Sequence, residues 1–252
     1  MSMKGWLGLG LLVTMACHSE SVTVDGNGPV AGAGGDAATS DGVGGDAASS
    51  RAVLLEPADG WVSSASNSLG IQGAMFAAGD LLSNDTLVSD FRGSRACMSG
   101  AAVQVDLACN PPFGTDCFSI HYGAFMALNL NQRAGTDAGE AQPFDVSAIT
   151  GFTFDVEGPL VPRLVRFELQ TDQTDRDPVY CEPTLSDGDT GSGHREVRIE
   201  ELTQQCYAGG RRGEAVTTVK ERALRLRWHV VSNDRADEPF DFCVTNVNAL
   251  TD

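Results

Sequence analysis

Few residues of this chain could carry catalysis. After residue 50 the sequence offers three histidines as general bases, His121, His194 and His229. Serine hydrolases place the nucleophile in a G-x-S-x-G turn, zinc peptidases use H-E-x-x-H and many nucleotide hydrolases use a P-loop. None of these motifs occurs in the sequence. The sequence therefore predicts a non-enzymatic protein without a catalytic residue, and a hydrolase with paired carboxylates is the minor alternative.

Amide side chains recur on one side of two predicted strands. Asn129 and Asn131 alternate with leucines, and Gln72 lies opposite its apolar neighbours. Sugars are held by an apolar or aromatic platform with a few converging polar groups. Gln72, Asn129 and Asn131 are therefore candidate ligand-binding residues, and the alternative is that they satisfy backbone groups at sheet edges or loops. Trp228 alternates in step with the apolar residues of a predicted strand and is predicted to lie in the core. For Trp61 the sequence does not decide between the core and a binding surface.

The cysteines predict disulfides. Six of the seven follow residue 50, and an even number in an exported protein can all be paired. No C-x2-C or H-x3-H spacing occurs, so a zinc site is not predicted. Sequence alone does not choose among the connectivities. Short polar loops favour Cys109–Cys117 and Cys181–Cys206, which leaves Cys97 with Cys243.

The first residues form an export signal. Lys4 supplies the positive start, residues 5–15 are apolar, and Ala16 is a small residue placed for cleavage. The apolar stretch is too short to span a bilayer. The run Val-Thr-Met-Ala-Cys over 13–17 resembles a bacterial lipobox, which implies a signal peptide over 1–16 and a palmitate-bearing lipid anchor on Cys17. An ordinary secretory signal cut near Ala16 is the alternative.

A tether follows over residues 17–50. Its ten-residue block at 32–41 is nearly repeated at 42–51, and bulky apolar residues are scarce. Such a segment buries too little apolar surface to offset its ordering entropy, so we expect disorder. A Gly-rich coil of this length reaches roughly 30 Å, which suits a spacer between a membrane and a folded domain.

The remaining residues, 51–252, predict an all-β fold. Apolar and polar residues alternate over 152–157, 164–170 and 224–230, as in half-buried antiparallel strands. Further strands are predicted over 69–78, 101–107, 118–131, 195–201 and 239–247, with one helical turn over 217–224. Strands without alternating helices favour an antiparallel β-sandwich. Prolines 159, 162, 178 and 183 are expected between strands, where a missing N–H does no harm.

Several segments resemble a known family. Residues 67–80, 127–132, 143–145, 151–155 and 239–247 are similar to the galactose-binding-like jelly rolls of carbohydrate-binding modules and of exported proteins from myxobacteria and related bacteria. The resemblance implies a jelly roll whose concave side presents Gln72, Asn129 and Asn131 to a sugar. In that family the closing strand reads Asp-Phe-x-Ile-Asp-x-Val, and its second Asp helps bind a structural calcium. Thr245 stands there, so no cofactor is predicted and calcium is the one alternative left open.

Charge narrows the partners. The chain has 34 acidic and 17 basic residues, a formal charge of −17. Nucleic-acid binding requires clustered Lys and Arg, so no nucleic acid is expected. We predict an exported lipoprotein of the bacterial cell envelope that carries a non-catalytic carbohydrate-binding module. The alternative is a surface structural or protein-interaction domain whose partner is a cell-surface protein.

Overall fold

The structure is a computed structural model that describes residues 51–109, 117–133, 140–162, 165–173, 179–182, 192–204, 216–218 and 220–252. The chain divides into two units, Met1–Gly45 and Asp46–Asp252, and every described residue belongs to the second unit. The predicted signal peptide, Cys17 and the tether lie outside the described residues. Within the described ranges, no helix has the length and apolar character needed to cross a membrane.

Strands dominate the described residues, with one α-helix, α1 (Cys117–Ile120), and several 3-10 turns. The strands are β1 (Arg51–Leu54), β2 (Pro57–Ala58), β3 (Trp61–Val62), β4 (Gly73–Gly79), β5 (Val88–Asp90), β6 (Ala96–Ala102), β7 (Gly123–Asn129), β8 (Ile149–Leu160), β9 (Val165–Thr171), β10 (Val179–Cys181), β11 (Gly193–Arg198), β12 (Ala223–Val231) and β13 (Glu238–Thr251).

The strands form two antiparallel sheets. The first has the order β11-β8-β13-β6-β5, and β1 pairs with the C-terminal part of β13. The second has the order β10-β9-β12-β7-β4-β3-β2. Every strand pair within both sheets is antiparallel. The predicted antiparallel β-sandwich is confirmed.

Aromatic side chains join the inner faces of the two sheets. Phe154 of the first sheet stacks on Phe167 of the second with 5.3 Å between ring centroids, and it meets Trp228 edge-on at 5.6 Å. All three rings are fully buried. Large buried rings dominate core energetics because each removes roughly 150–250 Å² of surface from water. The prediction that Trp228 belongs to the core is confirmed.

Two predicted strands are misplaced. The strand expected over 101–107 is β6 (Ala96–Ala102). Its Gly and Ser residues have low β-propensity, so the sequence gives little sign of this strand, which pairs with β13. The start of the strand expected over 118–131 is α1 (Cys117–Ile120), and β7 begins only at Gly123. Local propensity thus misplaced both segments. Pairing with β13 determines β6, and the Cys109–Cys117 disulfide closes the loop in which α1 begins.

Pro159 lies inside a strand, contrary to the prediction. It belongs to β8 (Ile149–Leu160), where the register with β13 shifts between Cys243 and Asp241. On the other side, β11 pairs with β8 only up to Val156. Pro is tolerated at such irregular positions because the missing N–H interrupts no regular ladder of hydrogen bonds there.

The structure contains two of the predicted disulfides. Cys97–Cys243 joins paired residues of β6 and β13, and Cys109–Cys117 closes a short loop before β7. Cys181 is also disulfide-bonded. Its predicted partner, Cys206, lies outside the described residues.

Candidate functional site

The outer face of the second sheet carries polar and aromatic side chains. On β4, β7, β9 and β12, alternate residues such as Met75, Met126, Phe167 and Trp228 enter the core. The residues between them therefore point away from the core, because side chains alternate along a strand. The outward positions hold Ala74, Phe76, Ala78, Phe125, Ala127, Asn129, Arg166, Glu168, Gln170, Arg225, Arg227 and His229.

Four half-buried aromatic residues, here called the aromatic row, cross this face: Trp61, Phe76, Phe125 and Tyr122. The rings of Phe76 and Phe125 meet edge-on with 6.2 Å between centroids, and Phe125 lies 6.2 Å from Tyr122. Trp61 is directly paired with Ala74, two residues before Phe76, and so shares its side of the sheet. Diagonal neighbours across a strand pair lie about 7–8 Å apart, which continues the row onto β3.

Two arginines lie over this row. The Arg227 guanidinium carbon is 4.1 Å from the centroid of Phe125, and that of Arg225 is 5.4 Å from the centroid of Phe76. A guanidinium over an aromatic face gains about 0.5–2 kcal/mol. The arginines and the rings therefore hold each other in defined positions on the sheet.

A buried charge cluster, Arg166, Glu168, Arg227 and His229, adjoins the row. The four residues are at most 9% exposed. Glu168 Oε1 lies 2.8 Å from His229 Nδ1, and Glu168 Oε2 lies 3.2 Å from Arg227 Nε. Burial raises the pKa of Glu168, but the positive charges of His229, Arg227 and Arg166 and the hydrogen bond from His229 outweigh it and lower the pKa to about 2. Glu168 is therefore a carboxylate at neutral pH.

The hydrogen bonds of His229 engage both of its ring nitrogens. Nδ1 faces the Glu168 carboxylate, and Nε2 lies 2.7 Å from the carbonyl oxygen of Tyr122. The ring therefore ties β12 to β9 and to the residue preceding β7. With both nitrogens in structural contacts, neither is available to act as a general base.

Asn129 lies at the edge of the aromatic row and is buried. Its Nδ2 donates to Gln132 Oε1 at 3.0 Å, and the same oxygen accepts from the backbone N–H of Ala74. A Cβ atom at Gly73 would come within 2.2 Å of the Asn129 carbonyl oxygen, so only glycine lets β4 approach this closely. Asn129 Oδ1 is shielded from solvent and has no hydrogen-bond partner in the described part of the chain.

The other two predicted ligand residues make structural hydrogen bonds. Asn131 donates to the carbonyl oxygen of Pro143 at 3.0 Å, and Gln72 accepts from the Ser64 hydroxyl at 2.9 Å. Gln72 and Asn131 also form an isolated β-bridge beyond the ends of β4 and β7. The structure thus brings Gln72, Asn129 and Asn131 together, and their role in binding a ligand stays a prediction.

The remaining histidines lie elsewhere. His194 is the second residue of β11 on the first sheet, where its Nδ1 lies 2.7 Å from Asp155 Oδ1. Asp155 also accepts from Asn246 Nδ2, and these two hydrogen bonds lower the pKa of Asp155. His121 lies between α1 and β7, and its backbone N–H bonds the Cys117 carbonyl. The region of Thr245 borders a cavity of about 50 Å³ in which Glu56 is the lining carboxylate. Among the described residues, no group of three His, Cys, Asp or Glu could hold a metal ion.

Sequence reasoning missed most of this face. The candidate set contained Asn129 but neither Phe125 nor Arg225, although Phe125 has the same strand parity as Asn129. Extending the alternation four residues back would have identified that ring. The register that brings Arg225 opposite Asn129 depends on long-range pairing and has no local signal. Trp61, left open by the sequence, lies on this face.

Comparisons with known proteins find distant structural likenesses. No family model and no curated protein matches the chain. One solved structure with a likeness is the family 11 carbohydrate-binding module of the cellulosomal cellulase Lic26A-Cel5E of Clostridium thermocellum, at 11% identity over 71% of this chain and 83% of that chain, with a TM-score of 0.38.

Two further structures carry similar titles. A family 11 module from Clostridium thermocellum in complex with a β-1,3-1,4-mixed-linked tetrasaccharide has 11% identity over 69% of this chain and 82% of that chain, with a TM-score of 0.37. The solution structure of CtCBM11 has 11% identity over 82% of this chain and 98% of that chain, with a TM-score of 0.38.

Proposed function

We propose that the domain is a non-catalytic module that binds carbohydrate on the outer face of its second sheet. The observation that carries this proposal is the aromatic row, Trp61, Phe76, Phe125 and Tyr122, flanked by arginine and amide side chains. A sugar ring has an apolar C–H face and a polar rim of hydroxyls. A row of half-buried rings bordered by hydrogen-bonding groups matches both parts of such a ligand.

Unmet polar atoms on this face support a polar ligand. Asn129 Oδ1 and Arg225 Nε are shielded from solvent, and neither has a hydrogen-bond partner in the described part of the chain. The two residues are directly paired across β7 and β12. Leaving such a group unmet costs about 1–3 kcal/mol. A small movement of the Arg225 side chain on ligand binding would let a sugar hydroxyl donate to Asn129 and accept from Arg225.

The buried charge cluster supports binding without catalysis. Glu168 is held as a carboxylate with a pKa of about 2, whereas a general acid needs a proton near neutral pH. His229 uses both ring nitrogens for hydrogen bonds to Glu168 and Tyr122. In this arrangement the cluster stiffens β9, β12 and β7 beneath the aromatic row.

Binding to a panel of soluble and insoluble polysaccharides tests the proposal. Trp61→Ala and Phe76→Ala should each weaken binding about tenfold, since each removes a large apolar contact worth roughly 1–2 kcal/mol. Phe118→Ala is the matched control because Phe118 is an exposed ring outside the row. Binding that survives both row substitutions, or that the control removes equally, would contradict the proposed face.

We also propose that the module is exported and anchored to a membrane through lipid on Cys17. The lipobox-like run, and disulfides at five of the six cysteines after residue 50, support an oxidising compartment outside the cytoplasm. Tethered copies sharing one polymer would strengthen weak individual sites. A palmitate analogue should label the wild-type protein and not Cys17→Ser. An unlabelled wild type of processed size would favour the ordinary secretory signal.

The alternative function is a surface structural or protein-interaction domain. An apolar interface would require a contiguous apolar patch. The surface beside Asn129 instead alternates aromatic rings with guanidinium and amide groups, which favours a sugar. A well-folded protein that binds no polysaccharide in the panel would move the assignment to the alternative.

A further inference from the structure

Arg225 differs electrostatically from Arg227, its neighbour on the outer face of β12. Arg227 lies 3.2 Å from the Glu168 carboxylate, within the buried charge cluster. Arg225 has no carboxylate partner among the described residues, and its Nε has no hydrogen-bond partner there. Its guanidinium contacts the Phe76 ring, which attracts a cation without neutralising it.

The surroundings of Arg225 hold this charge in place without compensating it. Its paired residues are Asn129 on β7 and Gln170 on β9, both of which carry neutral amides. Burial and the positive charge of Arg227 lower the pKa of Arg225, which still leaves an arginine protonated in neutral solution. The carboxylate at the outward positions of β4, β7, β9 and β12 is Glu168, which faces Arg227 and His229 and leaves the positive charge of Arg225 unpaired among the described residues.

This local positive charge contrasts with the chain as a whole, whose formal charge is −17. A protein with that excess of acid has carboxylates available to pair a half-buried arginine. Among the described residues, Arg225 instead has the Phe76 ring below it and the amide residues Asn129 and Gln170 on the two neighbouring strands. A guanidinium presents a planar fork that matches a carboxylate with two parallel N–H···O bonds.

From this geometry we infer that the module binds an acidic polysaccharide, a chain of uronic acid sugars, with a sugar carboxylate on Arg225 and the sugar rings along the aromatic row beside it. The inference rests on the proposed carbohydrate-binding function and specifies its ligand class. The amides of Asn129 and Gln170 flank the same point and would take the hydroxyls next to the carboxylate. The sugar carboxylate would supply the countercharge that no described residue gives Arg225.

The test compares polygalacturonate with its fully methyl-esterified form by calorimetry, using the wild-type protein. The two polymers share a backbone and differ in the charge that Arg225 would bind. We expect the acid to bind at least about tenfold more tightly than the ester, because hydrogen bonds to an ionised carboxylate are stronger than those to a neutral ester.

Variants locate the effect. Arg225→Gln should remove most of the preference for the acid, and Arg225→Lys, which keeps the charge but loses the fork, should retain part of it. Arg51→Gln is the matched control, since Arg51 is an exposed arginine on β1 of the first sheet. Thermal melting establishes that each variant is folded. The comparison of acid and ester in the wild type does not depend on any variant folding.

The outcomes separate this inference from the proposed function. Equal binding of acid and ester, or binding of neutral glucans alone, would overturn the acidic ligand and leave carbohydrate binding in place. A preference for the acid that Arg51→Gln reduces as much as Arg225→Gln would assign it to non-specific attraction and overturn the site. Failure to bind any polymer would overturn the proposed function, and this inference with it.

Discussion

Two histidine–carboxylate pairs, one on each sheet, have almost the same geometry and opposite surroundings. On the second sheet, His229 Nδ1 lies 2.8 Å from Glu168, and the two side chains are 7% and 3% exposed. On the first sheet, His194 Nδ1 lies 2.7 Å from Asp155, with side chains 65% and 29% exposed. Each pair joins adjacent antiparallel strands, β12 to β9 and β11 to β8.

The comparison shows that distance does not measure the energetic importance of an ion pair. Exposed pairs gain little because water screens the attraction and holding the side chains costs entropy. In a buried pair, each partner is the main compensation for the other's lost hydration, so removing one is costly. The Glu168 carboxylate also contacts Arg227, in addition to His229.

The largest effect is expected for Glu168→Gln. The amide keeps the shape of the side chain but removes the carboxylate charge that faces both Arg227 and His229. Breaking a buried pair in this way costs about 3–5 kcal/mol. Urea denaturation should show this loss, and the matched change Asp155→Asn in the exposed pair should cost at most about 1 kcal/mol. Similar losses for the two variants would break the comparison.

Acid should unfold the protein partly through Glu168. Its pKa is about 2 in the folded protein against an ordinary value of 4.5, so as pH falls below 4.5 the unfolded chain gains a proton first. The stability due to this group is fully present above 4.5 and is lost as pH falls towards 2. Unfolding free energies at about pH 6 and about pH 3 should therefore differ less in Glu168→Gln than in the wild type.

The control for this pH dependence is Asp155→Asn. The Asp155 pKa is also lowered, by Asn246 and His194, but its side chain is partly exposed, so its contribution has the same sign and is smaller. An unchanged pH dependence in Glu168→Gln would show that other carboxylates carry the acid sensitivity.

An intermediate effect is expected for Arg227→Met. The substitution removes the cation over Phe125 and one of the charges that face Glu168, while His229 remains bonded to the carboxylate. We expect a loss of about 2 kcal/mol, between those of the buried carboxylate and the exposed pair. Urea denaturation measures it. A loss as large as that of Glu168→Gln would mean that Arg227, not His229, is the main partner of Glu168.

The alternation of residues predicted the second sheet well where it is regular. The patterns in β9 and β12 identified the apolar face, and the core position of Trp228 follows from the same pattern. The sequence identified the polar face as the outward one, but it did not predict which charged residues on that face contact each other. Glu168 faces both Arg227 and His229 because β9 and β12 are neighbours in the sheet. The local sequence does not contain this long-range pairing.

His194 shows the same limit on the first sheet. In the sequence it follows a Gly- and Ser-rich segment and precedes the strand predicted over 195–201. In the structure it is the second residue of β11, directly opposite Asp155 on β8. A short edge strand among glycines has little local β-propensity and forms because β8 offers a pairing edge. Long-range pairing also explains why β6 and β13 differ from their predicted limits.

The smallest effect is expected for His194→Gln. Asp155 keeps its hydrogen bond from Asn246 Nδ2, and the lost partner is a largely exposed imidazole. The unfolding free energy should change by less than about 0.5 kcal/mol, within the range of ordinary surface substitutions. His229→Gln is the matched change in the buried pair, where Glu168 loses its nearest cation and the bridge to the Tyr122 carbonyl breaks. Urea denaturation of both variants gives the difference in unfolding free energy directly. An equal loss in His194→Gln and His229→Gln would mean that the exposed pair stabilises the fold as much as the buried pair does. Burial would then not explain the contrast between the two sheets.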